Sequence, residues 1–346
     1  MDVNSVDSNG CSAVLVSIFL NKPEILKMLI THKNIQINKP YDRSNTALHY
    51  AAHFGYTECL NVLLSHRYIY IKAHNMWQKT ALEEAVEKGN IECIKAMMRV
   101  GERDKHNRIY FTENILHASV QCVESLEYLL STGLFSITGR NKISHSLLMS
   151  AVDNNRSDAF FYLLNEYNFS LTAQTLMGLT VLHSYIPRHV SRSVLNTLLK
   201  RELILLNMHD CNGNTALHMA VQQWDSALVD WLLFYPSLLV NAEDAEGQTA
   251  LHVAVNREKI RTVCALLKRE DVDVNVCDAK GKTPLHCAVR KRRMGIEIAE
   301  VLLKHRDIRV NIKDKQGKTP LAYVIEAQMV GKEKLVSLLM EKGATV

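Results

Sequence analysis

Asn214-Thr-Ala-Leu-His-Met-Ala220 is the stretch of sequence that decides the fold, because close copies of it recur along the chain. The copies are Asn45-Thr-Ala-Leu-His-Tyr-Ala51, Gln248-Thr-Ala-Leu-His-Val-Ala254 and Lys282-Thr-Pro-Leu-His-Cys-Ala288. Aligning the remaining sequence to this frame puts the threonine position at Ser12, Thr46, Thr80, Asn114, Ser146, Thr180, Thr215, Thr249, Thr283 and Thr319. These positions are separated by 34, 34, 34, 32, 34, 35, 34, 34 and 36 residues. A near-constant period along the whole chain predicts a repeat architecture.

Each copy predicts a turn followed by two helices. Asp210 and Gly213 enclose a tight turn, and the Thr215 that follows is suited to cap the N-terminus of a helix. The first helix is expected to end near Gly or Asn, as at Gly55. The second helix carries an apolar pair such as Leu232-Leu233. One helix pair cannot bury such a stripe alone, so neighbouring copies must stack.

The Thr-Pro-Leu-His-x-Ala pattern at this period resembles the ankyrin repeat, and the resemblance covers residues 7–346. It implies an all-α fold, an ankyrin-repeat solenoid of stacked helix-turn-helix units with projecting β-turn fingers. It also implies a concave face of the kind that commonly binds another protein. We expect a single domain, 1–346. Its approximate repeats are 7–40, 41–74, 75–108, 109–140, 141–174, 175–209, 210–243, 244–277, 278–313 and 314–346.

The middle of the chain departs from the repeat pattern. Copy 4 is two residues shorter and lacks the Asp-x-x-Gly turn, and copy 5 has Met149 at the histidine position. Copy 6 has Pro187 at the end of its first helix. Two interpretations stay open for 109–209: a softer seam between two better-packed blocks, or a region reshaped to fit a partner.

Apolar side chains occupy finger positions that are ordinarily polar. They are Met76 and Trp77 in copy 3, Ile109, Tyr110 and Phe111 in copy 4, and Leu176 and Met177 in copy 6. Soluble monomers rarely expose an apolar strip, and Trp, Tyr and Met are enriched at the cores of interfaces. These residues therefore predict a partner-binding surface, with Trp224 between the helices of copy 7 as a further anchor. The alternative is that the same side chains fold back and seal an irregular stack.

The whole chain has a net charge of +5. Its basic residues are concentrated in the last fifth of the sequence. Residues 277–346 contain 15 Lys and Arg against 8 Asp and Glu, whereas the rest contains 26 against 28. The candidate basic patch consists of Lys280, Lys282, Arg290, Lys291, Arg292, Arg293, Lys313, Lys315 and Lys318. Such a patch would steer an acidic partner, and the alternatives are a nuclear-import signal or a solvated loop. Nucleic-acid binding is disfavoured because no aromatic residues are interleaved with the basic ones.

The sequence contains no complete catalytic or metal-binding motif. Gly281-Lys282-Thr283 resembles the end of a phosphate-binding loop, but Val276 stands where that loop requires glycine. Six histidines occupy the histidine position of the repeat, where the resemblance implies hydrogen bonds between neighbouring turns. They are His49, His117, His183, His218, His252 and His286. We therefore expect no enzymatic activity, no metal and no cofactor.

One modification is predicted from the resemblance. Ankyrin proteins are often hydroxylated on an Asn that follows Asp-Val, with Leu eight residues before the Asn. Leu267 and Asp273-Val274-Asn275 fit that spacing, so Asn275 is the candidate hydroxylation site.

Taken together, these patterns predict a non-enzymatic scaffold or adaptor for protein–protein interaction, with a protein partner that carries an acidic segment. The alternatives are an inhibitor of an NF-κB-type transcription factor, or the N-terminal repeat region of a larger protein such as a channel, a ubiquitin-ligase receptor or an enzyme. We expect a monomer in the cytoplasm, with the nucleus as a second compartment, and no small-molecule substrate. Membrane insertion is not expected, because no apolar run approaches the roughly 18 residues that a spanning helix needs.

Overall fold

The structure, a computed structural model, divides into two compact units, Met1–Phe169 (unit 1) and Ser170–Val346 (unit 2). It describes residues 2–8, 10–103, 113–140, 145–167, 169–188, 191–223, 226–291, 294–326 and 332–345. The division falls within 109–209, where the repeat pattern is weakest.

Unit 1 is a stack of helix pairs. The first helices are α1 (Ala13–Phe19), α3 (Ala47–Phe54), α5 (Ala81–Lys88), α7 (Glu113–Ala118) and α9 (Leu147–Asp153). The second helices are α2 (Pro23–Ile30), α4 (Thr57–Ser65), α6 (Ile91–Arg103), α8 (Val123–Ser131) and α10 (Ser157–Glu166). Each first helix packs against the next first helix, and each second helix packs against the next second helix.

Unit 2 repeats this arrangement. The first helices are α11 (Val181–Tyr185), α13 (Ala216–Gln222), α15 (Ala250–Asn256), α17 (Pro284–Ala288) and α19 (Pro320–Glu326). The second helices are α12 (Arg192–Arg201), α14 (Ser226–Leu233), α16 (Ile260–Leu266), α18 (Gly295–Leu303) and α20 (Lys332–Glu341). The first helices pack in chain order, as do the second helices from α14 onward.

Short irregular segments join these helices. Four 3₁₀ helices lie in the described residues, at Asp42–Ser44, Ser119–Gln121, Ile186–Arg188 and Leu203–Asn207. Only isolated β-bridges, such as the one between Glu243 and Thr249, occur in the same part of the chain. No helix among the residues described is long and apolar enough to span a membrane.

The predicted capping residues set the ends of the first helices. Thr80 caps α5, and its hydroxyl accepts a hydrogen bond from the backbone N–H of Glu83. Gly55 and Gly89 end α3 and α5 in the left-handed conformation that the sequence predicts for such positions. In copy 4 Asn114 lies within the described part of the first helix, Glu113–Ala118, so it does not cap that helix as threonine does elsewhere.

The second helices bury one residue of each apolar pair completely. Leu63, Met97, Leu163, Leu232 and Leu302 have no measurable exposure to solvent. Burying a side chain of this size contributes about 1.5–3 kcal/mol, and the second helices that carry these residues pack against those of neighbouring pairs. Stacking therefore supplies the core that one pair lacks.

Backbone hydrogen bonds join consecutive fingers. The N–H of Ala245 donates to the carbonyl of Asn212 at 2.9 Å, and the N–H of Ala279 donates to Glu246 at 2.8 Å. This close approach leaves no room for a side chain at Gly213, where a Cβ would lie 2.5 Å from the Ala245 nitrogen. Gly213 also has a positive φ of 74°, which disfavours any residue with a Cβ.

Gly213→Ala is expected to lower the free energy of unfolding by about 2–4 kcal/mol, because it adds a backbone overlap to the cost of a positive φ. Gly317→Ala is the matched control, since Gly317 has a φ of 76° but a Cβ added there would meet no described atom within 4 Å. The control should lose only about 1–2 kcal/mol. Urea unfolding of both variants measures the difference, and equal losses would show that the finger contact does not constrain Gly213.

Candidate interaction surfaces

Exposed aromatic side chains of unit 1 lie at the finger tip and on the solvent-facing side of the first helix. In unit 1 these positions carry Phe19 on α1, Tyr50 and Phe54 on α3, and Trp77 on the third finger. We call these four residues the aromatic surface. Phe54 is 45% exposed and Trp77 is 48% exposed, so the helices and fingers present both rings to solvent.

The rings of the aromatic surface contact one another. Phe19 lies edge-on to Tyr50, with ring centroids 5.3 Å apart, and edge-on to Phe54 at 6.0 Å. Edge-to-face pairs of this kind each contribute about 0.5–1.5 kcal/mol beyond the area they bury. These contacts favour the observed arrangement of the three rings over other rotamers.

A cleft of ≈ 220 Å³ separates α3 from the third finger in unit 1. It is lined by Asp42, Arg43, Asn45, His49, Tyr50, His53, Phe54, Trp77 and Glu84. Arg43 lies over the Trp77 ring, with its guanidinium carbon 5.4 Å from the ring centroid. The cleft thus has aromatic walls and a cation at its rim.

Glu84 places a carboxylate at this cleft, although its side chain is almost fully buried, with 8% exposed. One carboxylate oxygen accepts a hydrogen bond from the Asn75 side-chain amide at 3.2 Å. The other oxygen lies 3.0 Å from His53 Nδ1. Buried carboxylates require such partners, so the neighbours of Glu84 fix its position.

The predicted finger residues are exposed wherever the structure describes them. Leu176 is 84% exposed, and Met76, Trp77 and Met177 are also exposed. The backbone explains this: the N–H of Met76 donates to the Arg43 carbonyl, which holds the finger tip against the preceding finger and leaves its side chains outside. Ile109, Tyr110, Phe111 and Trp224 lie outside the described residues.

Phe19, Tyr50 and Phe54 are functional candidates that the sequence reasoning missed. They occupy the fourth, seventh or eighth position after the threonine of their repeat. The seventh and eighth positions of copies 3 and 7 hold polar residues, including Glu87 and Gln222, whereas the fourth position holds Glu84 in copy 3 and Met219 in copy 7. Comparing the copies position by position would have identified the aromatic residues as departures.

Unit 2 contains a cluster of cations around one tyrosine. The ring of Tyr323 on α19 has Lys282 Nζ 5.1 Å, Arg290 Cζ 5.4 Å and Lys318 Nζ 5.5 Å from its centroid. We call these four residues the basic cluster. The hydroxyl of Tyr323 donates to Asp314 Oδ2 at 2.5 Å. Burial and this hydrogen bond raise the pKa of Tyr323 to about 12, so the hydroxyl stays protonated.

The other predicted basic residues are placed differently. Lys280 lines a cleft of ≈ 480 Å³ together with Lys282 and Arg290. Lys291 donates from Nζ to the carbonyl of Asn256 at 2.8 Å. Its positive charge therefore interacts with the C-terminal end of α15. Lys313 and Lys315 are exposed on the last finger. Arg292 and Arg293 lie outside the described residues.

The side chain of Asn275 joins two repeats. Its amide nitrogen donates to the Asp307 carbonyl at 2.7 Å, and its amide oxygen accepts from the Arg309 N–H at 2.8 Å. Asn241 makes the equivalent pair of bonds to Asp271 and Asp273. Asn275 therefore has a structural role, and a hydroxylase would have to reach its Cβ while both ends of the amide are bound.

The repeat histidines also join neighbouring turns, as the resemblance implies. Nδ1 of His218 accepts the N–H of Thr215 at 3.2 Å, and Nε2 donates to the carbonyl of Gln248 at 3.0 Å. Four other histidines form the same bridge from Nε2 to a backbone carbonyl of the next repeat. The pairs are His49 with Lys79, His183 with Asn214, His252 with Lys282 and His286 with Lys318. His117 differs, since its Nδ1 contacts Ser150 Oγ at 2.6 Å.

Burial sets the protonation of these histidines. It lowers the pKa of His49, His183, His218, His252 and His286, against smaller opposing effects of hydrogen bonds and nearby carboxylates. The pKa of His117 is lowered to about 4 for the same reason. A neutral ring is also required by geometry, because Nδ1 accepts the threonine N–H and cannot carry a proton there.

The described residues contain no group of three or more His, Cys, Asp or Glu side chains that could hold a metal ion. The eight cysteines are all free thiols, and Cys59, Cys93 and Cys287 are buried. The polar groups of the repeat histidines and of Asn275 form hydrogen bonds between neighbouring repeats.

Comparisons with known proteins agree with this architecture. A family model described as ankyrin repeats (3 copies) matches residues 1–75, 148–244, 194–275, 225–314 and 262–346. The crystal structure of EF0377, an ankyrin repeat protein, resembles the chain with a TM-score of 0.50 and 19% sequence identity, over 56% of this chain and 96% of that chain. A search of curated proteins gave no match. The predicted fold class, an all-α ankyrin-repeat solenoid, is confirmed.

We expect the free energy of unfolding to decrease as the pH falls below about 6.5, the ordinary pKa of histidine. The unfolded chain then takes up protons that the buried rings of the folded chain do not, so the stabilisation is complete above that pH and is lost on acidification. Urea midpoints between pH 7.5 and 5 measure the slope.

His218→Gln should make this dependence shallower, because it removes one of the buried rings. His32→Gln, which changes an exposed histidine, is the control and should leave the slope unchanged. Identical slopes in the wild type and both variants would contradict the link between His218 and acid sensitivity.

Proposed function

We propose, because this chain belongs to the ankyrin repeat family, that it is a non-enzymatic adaptor that binds a partner protein through exposed side chains of its fingers and first helices. Ankyrin repeats are in general modules for protein–protein interaction, and stacked repeats offer extended surfaces for that purpose. The role of adaptor is the specific part of the proposal.

The aromatic surface of unit 1 is the observation that carries the proposal. Phe19, Tyr50, Phe54 and Trp77 gather exposed or half-buried rings beside one cleft. Contiguous apolar surface on a soluble protein marks an interaction site, and Trp and Tyr dominate the binding energy of protein interfaces. Nothing in the folding of the stack requires these rings to face solvent.

The surroundings of the rings fit a protein interface. Asp42 and Arg43 provide a polar rim next to Trp77, and Glu84 offers a fixed acceptor in the cleft. A rim of this kind orients the partner, while the rings at its centre supply most of the affinity. The edge-to-face contacts of Phe19 favour the same arrangement of Tyr50 and Phe54 before binding, which reduces the conformational entropy lost on association.

Affinity capture with the purified chain tests this proposal. A protein retained by the wild type should be retained at least about 30-fold less well by Phe54→Ala/Trp77→Ala, since two anchor residues are removed. Phe234→Ala is the matched control, because Phe234 is 83% exposed but lies in unit 2. Circular dichroism and urea midpoints establish that all three baits are folded.

The result that supports the proposal is a partner lost from the double variant and kept by the control. Equal capture by all three baits would contradict the assignment of binding to the aromatic surface. A further variant, Leu176→Ser/Met177→Ser, separates a partner held by the exposed sixth finger of unit 2 from one held by unit 1.

A further inference from the structure

We infer that the basic cluster of unit 2 is a site for an acidic segment of a partner protein, with a carboxylate held between Lys282 and Arg290 above the Tyr323 ring. The inference rests on the proposed function, because it gives the chemical class of a partner. It uses residues other than the aromatic surface, so the two can be tested separately.

The cations of the basic cluster come from different parts of the repeat. Lys282 is on the ninth finger, Arg290 follows α17, and Lys318 is on the tenth finger. All three lie within 5.5 Å of one ring centroid. The Tyr323 ring attracts them through its π-face, but three like charges around one ring also repel one another.

Two of these cations, Lys282 and Arg290, form no ion pair with a described residue, although Glu246 and Asp278 line the same cleft. Lys318 forms an ion pair with Glu326, and Asp314 is nearly buried and accepts the Tyr323 hydroxyl. Within the described residues, no carboxylate lies within ion-pair distance of Lys282 Nζ or of the Arg290 guanidinium. A carboxylate from outside would relieve their repulsion, and the planar guanidinium suits it because both groups can form two parallel hydrogen bonds.

The surroundings favour the carboxylates of a peptide over the phosphates of a nucleic-acid backbone. Lys280 and Lys315 extend the positive charge along the fingers, whose tips are adjacent because the Lys315 N–H donates to the Lys280 carbonyl at 3.1 Å. Glu246 and Asp278 line the cleft beside Lys280 and Arg290. A nucleic-acid backbone, with its closely spaced phosphates, would meet these carboxylates. Asp or Glu side chains spaced along a peptide can avoid them.

Fluorescence anisotropy tests the inference with a fluorescein-labelled oligoglutamate peptide and an oligoglutamine peptide of the same length. The wild type should bind oligoglutamate and not oligoglutamine. Lys282→Gln/Arg290→Gln should weaken binding about tenfold, and the affinity should fall as the salt concentration rises. Lys268→Gln/Lys304→Gln, which removes two exposed cations from second-helix ends of unit 2, should weaken it less than about twofold.

Tyr323 provides a second pair of variants. Tyr323→Phe keeps the ring and should keep the affinity within about twofold, whereas Tyr323→Leu removes the ring that gathers the cations and should weaken binding several-fold. Urea midpoints show whether each variant is folded. If Tyr323→Leu does not fold, the Lys282→Gln/Arg290→Gln variant alone tests the inference.

Equal weakening by the two double-glutamine variants would overturn the inference, because it would mean that net charge alone attracts the peptide. Equal binding of oligoglutamine would overturn it as well. Tighter binding of oligouridylate RNA, lost in Lys282→Gln/Arg290→Gln, would assign the cluster to nucleic acid instead. None of these results would affect capture through Phe54 and Trp77, so failure of the inference is distinguishable from failure of the proposed function.

Discussion

The hydrogen bond from a repeat histidine to the carbonyl of the next turn is the interaction on which the rest of the structure depends. In His218 one neutral ring caps its own helix through Thr215 and holds the following finger through Gln248. Helix start and finger position are thereby set by the same side chain. Removing the ring leaves the buried N–H of Thr215 without an acceptor, at about 1–3 kcal/mol, whereas the Gln248 carbonyl keeps its hydrogen bond from the Asp244 N–H. In the five repeats that contain this bridge, it ties the first helix to the finger that follows.

Since the stack uses its recurring polar groups internally, the residues that vary between copies are the ones left for recognition. In unit 1 the variable positions carry Phe19, Phe54 and Trp77, which supply apolar contact area. In unit 2 they carry Arg290 and Tyr323, which supply charge and a π-face. One scaffold thus presents two chemistries, each on helices and fingers whose backbone is fixed by neighbouring repeats. Rigid presentation favours affinity because less order must be gained on binding.

Much of this architecture follows from the sequence, whereas its surfaces follow only in part. The period of the threonine position predicts where the first helices start, and exposed Met76 and Trp77 could be identified from a single finger. The cations of the basic cluster were predicted as part of a basic patch, but their arrangement around Tyr323 was not, because Lys282 and Tyr323 are far apart in sequence and meet only when two repeats stack. Lys291 shows the converse: it is part of a basic run in sequence, but stacking directs its amine to the Asn256 carbonyl. The periodicity of the sequence predicts the helix pairs. Contacts between the pairs determine which charged side chains can still bind a partner.

Amide hydrogen exchange of His218→Ala tests most directly whether the histidine bridge holds neighbouring fingers in place. The account predicts faster exchange at Thr215, which loses its acceptor, and at Ala245, whose bond to Asn212 joins the two fingers. Amides of the α17–α18 pair should be unaffected. His209→Ala is the control, because the His209 ring bonds only within its own finger, to Gly213, among the contacts described. Unchanged exchange at Thr215 and Ala245 would contradict the account and would mean that apolar packing and the backbone hydrogen bonds between fingers position them without the histidine.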